Sequence, residues 1–466
     1  MIVYKHKLNN TGDFHQLKLL LIKDNENDNE QTTDYVIPIK FEDFRIEYVK
    51  ESLSMLFDSN IAKQNEGLDS ITQLVYLNHE EVFNMFTIDI INLVTLMTLQ
   101  NNTATNAYRL LGMITFFTND FSCYISKIEF YTNICNNILC FSEQQIRYCI
   151  ILLINLFDFV PINDIIQTGI FDLLLEIPNP IQIPKAIDLF SVIILRNDLP
   201  DEIFRNYLLF FKKTILIRNL SQKIIKIIFD VFERLLYASN HSFEVQDIIR
   251  NNAIIMKLIQ QINYNRDECC CCLRILRYMI YKDDAFFPQL TVFDFDKLLT
   301  RMILSSNEEV RYETILICQV YLKIFPDFHK YFIDFNFDQY FFSSNYKIKE
   351  MLFSFYEVIL TQIEEACKLF LTEELFVESL EMLSNVSEEV KLKIYQFLFC
   401  LVRKKSILNF NPYELTMNSN SAVETVENDI ISGNPEILRC SRLFKRLILQ
   451  GHDTDVPKED NENEEN

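Results

Sequence analysis

The 466-residue sequence has only six glycines and eleven prolines, and it has no tryptophan. A β-sandwich or an α/β enzyme of this length needs many tight turns, which glycine and proline supply. Their scarcity predicts an all-α chain whose helices are joined by short polar links. The chain also has little material for a phosphate-binding loop, and neither a GxGxxG nor a GxxxxGK[ST] motif occurs.

Other signatures of catalysis are missing as well. The six histidines are isolated from one another, and neither HExxH nor GxSxG occurs. Paired acids such as Glu308–Glu309 stand at the predicted starts of helices, where they complement the positive end of the helix dipole. We therefore expect a protein that is not an enzyme and that needs no cofactor.

The twelve cysteines lack the spacing of a disulfide framework. Four of them are consecutive, Cys269–Cys272, and on a helix they would fan out around the axis instead of converging on one metal ion. The sequence begins without a signal-peptide core, and its most apolar run, 149–160, is too short to span a bilayer. These features predict a soluble protein of the cytoplasm, with the nucleus as an alternative, that has no metal site and packs its thiols as small apolar groups.

The formal net charge is −21. Two segments concentrate the acids: residues 24–34 carry five acids and no base, and residues 453–466 carry seven acids and one lysine. Such a chain repels phosphate backbones, which argues against nucleic acid as the main partner. A local basic groove is compatible with a negative net charge, so a protein or a peptide is still a possible partner.

Helical periodicity runs from about residue 41 to 406 and repeats at a regular interval. Strong helices recur every 37 to 44 residues, and each is preceded by a second apolar helix. An interval of about 40 residues is typical of solenoids built from two or three helices per repeat. The small or apolar residue near the start of each strong helix serves as its anchor residue, and the series is Ala62, Ala104, Ile146, Ile183, Ile225, Cys269, Val310, Ile348 and Val390.

Two segments resemble a known superfamily. NEEVRYETILICQVYL (307–322) is similar to the second helix of a HEAT repeat, and GIFDLLLEI (169–177) is similar to the middle helix of an armadillo repeat. The resemblance covers roughly residues 50–406 and implies a right-handed superhelical solenoid of about eight or nine repeats. Without tryptophan, the Trp/Asn ladder of importin-α-type armadillo proteins cannot form, and the Asp that accompanies the HEAT Arg is not evident.

The predicted organisation has five parts. An irregular leader with an acidic, Asn-rich loop covers 1–50, the solenoid covers 51–406, and a polar linker covers 407–434. An amphipathic helix at 435–451 opposes Leu438, Leu443, Leu447 and Ile448 to four basic residues, and an acidic, disordered tail covers 452–466. That helix is expected to cap the solenoid; binding to a membrane surface or to a partner is the alternative.

A basic residue directly follows six of the nine anchors, and stacked repeats would place these side chains in a row about 10 Å apart. The row suggests a groove for an acidic or extended peptide, whereas the alternative is that the bases lie between repeats and pair with acids. Asn155 and Arg277 are added polar candidates. The basic candidates of the row are Lys63, Arg147, Lys226, Arg311, Lys349 and Lys391.

Solenoids of this superfamily expose a long groove, so the resemblance implies a non-enzymatic scaffold or adaptor that binds a protein or an extended peptide. A regulatory subunit of a phosphatase-type or other multi-protein complex is an alternative. A nuclear transport adaptor is another, although the missing tryptophan and the absence of a basic leader count against it. A coat or cytoskeletal component is the alternative from a different class.

Overall fold

A computed structural model describes most of the chain, and every described element is helical. The described residues contain 26 α-helices, a few single 3₁₀ turns and no strand. The predicted leader up to residue 45 and the predicted acidic tail lie outside the described residues. The described ranges are 46–77, 79–159, 161–177, 179–183, 185–238, 240–264, 269–325, 327–328, 330, 337–362, 372–403 and 408–450.

The chain forms two compact units, and the boundary between them falls between Tyr124 and Ile125. In the first unit, α2 packs against both α1 and α5, and α4 packs against α5. The helices up to this boundary are α1 (Ile46–Met55), α2 (Ile61–Leu77), α3 (His79–Phe83), α4 (Ile88–Met97), α5 (Ala104–Phe117) and α6 (Ser122–Ile125), the last of which reaches the boundary.

Close packing in the first unit depends on Gly67 of α2. A Cβ at this position would lie 2.9 Å from both the Cβ of Met55 and the carbonyl oxygen of Ser52. On the other side of α2, Asn106 of α5 donates from Nδ2 to Oδ1 of Asn65 at 3.1 Å. Because glycine has no side chain, α1 can approach α2 closely at Gly67. The hydrogen bond between Asn106 and Asn65 joins α2 to α5.

The second unit continues the same alternation of helices. Its helices are α7 (Ile128–Asn137), α8 (Glu143–Leu156), α9 (Ile162–Ile166), α10 (Ile170–Glu176), α11 (Ala186–Ile194), α12 (Asp201–Ile215), α13 (Gln222–Ala238), α14 (Ser242–Ile249), α15 (Asn252–Tyr264), α16 (Cys270–Lys282), α17 (Phe287–Thr291), α18 (Phe295–Met302), α19 (Glu308–Ile324), α20 (Phe337–Ser343), α21 (Tyr346–Gln362), α22 (Glu373–Met382), α23 (Glu388–Arg403), α24 (Pro412–Asn418), α25 (Asn420–Ile430) and α26 (Pro435–Gln450).

The predicted repeat interval corresponds to real helices. Each predicted anchor residue lies within three residues of the start of a helix, and all of them except Ala62 are buried. We call these nine helices the anchor helices: α2, α5, α8, α11, α13, α16, α19, α21 and α23. In the second unit each anchor helix packs against the next, from α8 through α23 and on to α26. Helix pairs stacked in this way confirm the predicted all-α solenoid of helical repeats.

Local sequence signals explain where these helices begin. Asn307 accepts hydrogen bonds from the amides of Glu309 and Val310, at 2.8 and 3.3 Å, and so caps α19. Ser142 and Gln145 form a reciprocal capping box at the start of α8. At the anchor Ile183 the helix begins three residues after the anchor, at Ala186, because Lys185 before it has a positive φ of 67°.

Two predicted boundaries are wrong. Helix α1 begins at Ile46, within the predicted leader. The predicted polar linker at 407–434 holds α24 and α25 instead of an extended segment. Its polar residues were misread because they cap helices: Asn411 accepts from the amide of Tyr413, and Ser419 accepts from the amide of Ala422.

The last described helix, α26, spans Pro435–Gln450 and packs against α23 and α25. Its buried residues are Ile437, Ser441, Phe444 and Ile448. The buried face of α26 differs from the predicted apolar face, which included Leu443, because Leu443 is exposed. Among the described residues, no helix combines the length and the apolar character needed to cross a membrane.

Candidate partner-binding surface

Two of the predicted binding residues point into the stack of helices. Lys349 of α21 extends to Glu378 of α22, with Nζ 2.9 Å from Oε1, and it also lies 5.0 Å from the ring centre of Phe341. Lys391 of α23 extends to Asp429 of α25, with Nζ 2.6 Å from Oδ1. Both lysines therefore join an anchor helix to a helix of the following repeat, as the alternative interpretation of the basic row supposed.

Two further members of the row also interact within the chain. Lys63 forms an exposed ion pair with Asp58, at 2.9 Å, in the turn before α2. In α19, the Nε atom of Arg311 is buried and has no hydrogen-bond partner among the described residues. Its guanidinium group lies near Tyr340, where burial raises the pKa of the phenol to about 12 and the positive charge opposes that rise.

The remaining candidates lie on three anchor helices. Arg147 and Asn155 are half-buried on α8, and each interacts with other groups of the chain. Lys226 is exposed on α13, where its charge acts on Asp230. Arg277 on α16 donates from Nε to Oε2 of Glu313 at 2.8 Å. The candidates thus interact with other groups of the chain, and their role in binding stays a prediction.

Sequence reasoning missed Arg274, which connects three successive anchor helices. From α16 its guanidinium group binds the carboxylate of Glu233 on α13, and it also donates from Nη1 to Glu309 on α19 at 2.7 Å. The pair between Arg277 and Glu313 adds a second connection between α16 and α19. Burial raises the pKa of Glu313, and the charge of Arg277 opposes that rise. These ion pairs hold α13, α16 and α19 in a fixed register.

A hydrogen-bonded junction lies beside these ion pairs. Ligand atoms of Asp230, Glu233 and Cys271 all lie within 4.8 Å of one another. Burial raises the pKa of Asp230, and hydrogen bonding to Cys272 together with burial raises the pKa of Cys271. The Glu233 carboxylate is also bound by Arg274. The junction therefore joins α13 to α16.

An aromatic surface lies on the same two helices. The rings of Tyr237 and Tyr278 meet edge to face, with their centres 5.1 Å apart, and the Tyr237 hydroxyl donates to the carbonyl oxygen of Arg274 at 3.2 Å. Nζ of Lys282 lies 5.9 Å from the ring centre of Tyr278 and 5.7 Å from that of Tyr281. We call these four residues, Tyr237, Tyr278, Tyr281 and Lys282, the tyrosine patch.

Part of the tyrosine patch is open to solvent. Tyr281 is 74% exposed and Tyr237 is 49% exposed. A signal for them exists in the sequence, since both stand twelve residues after an anchor, Ile225 in one repeat and Cys269 in the next.

Charged and aromatic side chains continue along the following anchor helices. Nζ of Lys347 on α21 lies 4.5 Å from the ring centre of Tyr312 on α19. Lys393 on α23 pairs with Glu350 on α21 at 2.6 Å. Burial lowers the pKa of Lys393, but the carboxylates of Glu350 and Glu389 together more than offset this and raise it. Polar contacts between neighbouring anchor helices thus recur from α13 to α23.

Comparisons with known proteins agree with the fold. No protein-family model matches the sequence, and no curated protein matches it. Among solved structures, an engineered protein matches with a TM-score of 0.60 and 12% identity, over 86% of this chain and 98% of that chain. Since the identity is this low, the likeness concerns the fold alone.

Two weaker likenesses carry no argument. A second engineered protein has a TM-score of 0.31 at 12% identity, over 57% of this chain and 97% of that chain. A mutant of Kap121p has a TM-score of 0.39 at 12% identity, over 88% of this chain and 42% of that chain. The stacked helix pairs and the first engineered structure together define the class, which is an α-helical repeat solenoid.

Proposed function

We propose that the protein is a non-enzymatic scaffold that binds a protein or an extended peptide through the solvent-exposed side of its anchor helices. The observation that carries this proposal is the tyrosine patch. Tyrosine and arginine are enriched at the energetic centres of protein interfaces, because they offer large contact areas together with polar groups. Here Tyr278 is half-buried and the other three residues of the patch are exposed, next to half-buried Arg274 and Arg277.

The geometry of the patch supports binding with a small entropic cost. Tyr237 is fixed by its hydrogen bond to the backbone of α16 and by its contact with Tyr278. The backbone beneath them is held by the ion pairs of Arg274. Side chains that are already ordered lose little freedom when a partner binds, so more of the interaction energy appears as affinity.

The motifs in α19 and α10 support the further proposal that the repeats are of the armadillo or HEAT kind. In α10 the support includes Gly169, which precedes the helix with a positive φ of 73° and follows the short helix α9. A residue with this backbone conformation is commonly glycine, because a Cβ would be strained there. In α19 it includes the Asn cap followed by two acids.

The test compares two variants of the full-length chain. Tyr237→Ala with Tyr281→Ala removes two residues of the patch, whereas Tyr264→Ala removes an equally exposed tyrosine, 72% exposed, from α15 outside the patch. Loss of interface tyrosines costs about 2 kcal/mol or more, which is roughly 30-fold in affinity. Proteins captured by the wild type from native lysate and quantified by mass spectrometry should therefore be lost from the double variant and kept by Tyr264→Ala.

Unchanged circular dichroism and thermal melting will show that the double variant is folded. A captured protein that then binds purified wild type and control alike, but not the double variant, identifies the partner. Equal recovery of every captured protein by all three chains would refute the tyrosine patch as the binding site.

A further inference from the structure

The C-terminal helix α26 is fixed on one side by the solenoid. The ring of Phe444 lies 5.9 Å from that of Tyr395 and 6.3 Å from that of Phe399, centre to centre, so α26 packs directly on α23. Ile437 and Ile448 are buried in the same contact. Because this side determines the orientation of the helix, the opposite side has a defined position in solvent.

That opposite side is basic. Arg439 and Arg442 are exposed and stand three residues apart, so their side chains share one face of the helix. Leu443 beside them is 40% exposed. Lys445 forms an ion pair within the chain, because its Nζ lies 3.3 Å from a carboxylate oxygen of Glu427 on α25. We call Arg439, Arg442 and Leu443 the α26 arginine face.

We propose that the α26 arginine face is the docking site of this chain's own acidic segment, residues 453–466. The segment carries seven acids and one lysine, and it begins three residues after α26 ends at Gln450. Its charge is complementary to that of the face, whereas the other residues of the protein carry a net charge of −15 (−21 without the segment's −6) that repels it. The proposal concerns a surface distinct from the tyrosine patch and does not depend on it.

The length of the segment is sufficient for this contact. Arg439 lies eleven residues before Gln450, which is about 16 Å along a helix. An extended chain covers about 3.3 Å per residue, so about five residues reach back to the level of Arg439. Five of the seven acids lie between 459 and 465, far enough along the segment to meet both arginines.

Tethering makes a weak contact effective. Exposed ion pairs are individually weak and are screened by salt. A short flexible tether nevertheless gives an effective concentration on the order of millimolar. The tethered segment thus competes with an acidic partner for the arginine face.

The test uses the full-length chain and a fluorescein-labelled peptide that copies residues 453–466. One variant has all seven acids of the segment replaced by the corresponding amides, while the other keeps the native segment. Fluorescence anisotropy at low ionic strength should show the peptide binding to the neutralised chain at least about fivefold more tightly than to the native chain, because the native segment competes. High salt should abolish the binding.

Two double substitutions in the neutralised chain locate the site. Arg439→Glu with Arg442→Glu should abolish peptide binding, and the milder change of both to Gln should weaken it if the first variant fails to fold. Lys213→Glu with Arg218→Glu makes the same change of charge at exposed positions on and after α12 and should leave binding intact. Equal peptide affinity of the native and neutralised chains, or equal loss in both double variants, would overturn the proposal.

Discussion

Replacing Asp429 by alanine should loosen the C-terminal end of the second unit. Its carboxylate accepts hydrogen bonds from Lys391 at 2.6 Å and from the Tyr395 hydroxyl at 2.8 Å, and both donors lie on α23 whereas Asp429 lies on α25. The residue is 5% exposed. Burial and the neighbouring carboxylate raise the pKa of Tyr395, so this tyrosine remains a hydrogen-bond donor.

The loss in free energy of unfolding depends on the Lys391 charge, which stays in place after Asp429 is replaced. Removing one partner of a buried ion pair costs about 3–5 kcal/mol, because the other charge is left without compensation. The Lys391 side chain is 17% exposed and regains some water, so about 3 kcal/mol is the reasonable expectation. Asp429→Asn should cost less, since the amide oxygen still accepts the hydrogen bond from Tyr395.

Hydrogen exchange followed by mass spectrometry is the suitable assay, because a repeat array need not unfold in one step. A local loss of about 3 kcal/mol speeds exchange by roughly 150-fold in peptides from α23 to α26. Peptides from α1 to α5 serve as the internal control and should exchange as in the wild type. A change below about 0.5 kcal/mol, the range of ordinary surface substitutions, would refute the view that this buried charge cluster fastens α25.

Three further predictions concern other parts of the chain. Gly67→Ala should destabilise the first unit by about 1–3 kcal/mol in chemical denaturation, because the new Cβ would lie 2.9 Å from that of Met55; an unchanged midpoint would contradict the close approach. Arg274→Ala should lower the local stability of α13 and α16 by about 1–2 kcal/mol, and hydrogen exchange that is the same in both chains would exclude this. Burial raises the pKa of the Cys149 thiol, so iodoacetamide should modify exposed Cys123 readily and Cys149 only upon unfolding, as peptide mapping at increasing denaturant will show.

The repeat architecture could be predicted from sequence because its signals are local. The apolar period, the caps such as Asn307 and the acids after them act within one or two turns of a helix. The same signals also explain the missed helices α24 and α25, where polar residues that resemble a linker are caps. In both cases the signal lies within a few residues of the helix that it starts. The polar residues before α24 and α25 were nevertheless interpreted as a linker.

The binding surface was harder to predict because it depends on how helices of different repeats face one another. Successive residues of a helix point about 100° apart, so an error of one position changes which neighbour a side chain meets. Lys349 and Lys391 follow their anchors directly and meet acids of the next repeat. The exposed tyrosines stand twelve residues after their anchors, on a side of the helix that the anchor pattern does not identify.

Arg274 also has a mechanical consequence. It connects α13, α16 and α19 by charged contacts at the solvent side of these helices, while Ile275 and Ile317 pack in the apolar interior. Ionic strength weakens the first kind of contact, and excluded salts such as sulfate strengthen the second. A salt such as sulfate thus acts in opposite directions on the charged and on the apolar contacts of the same three helices.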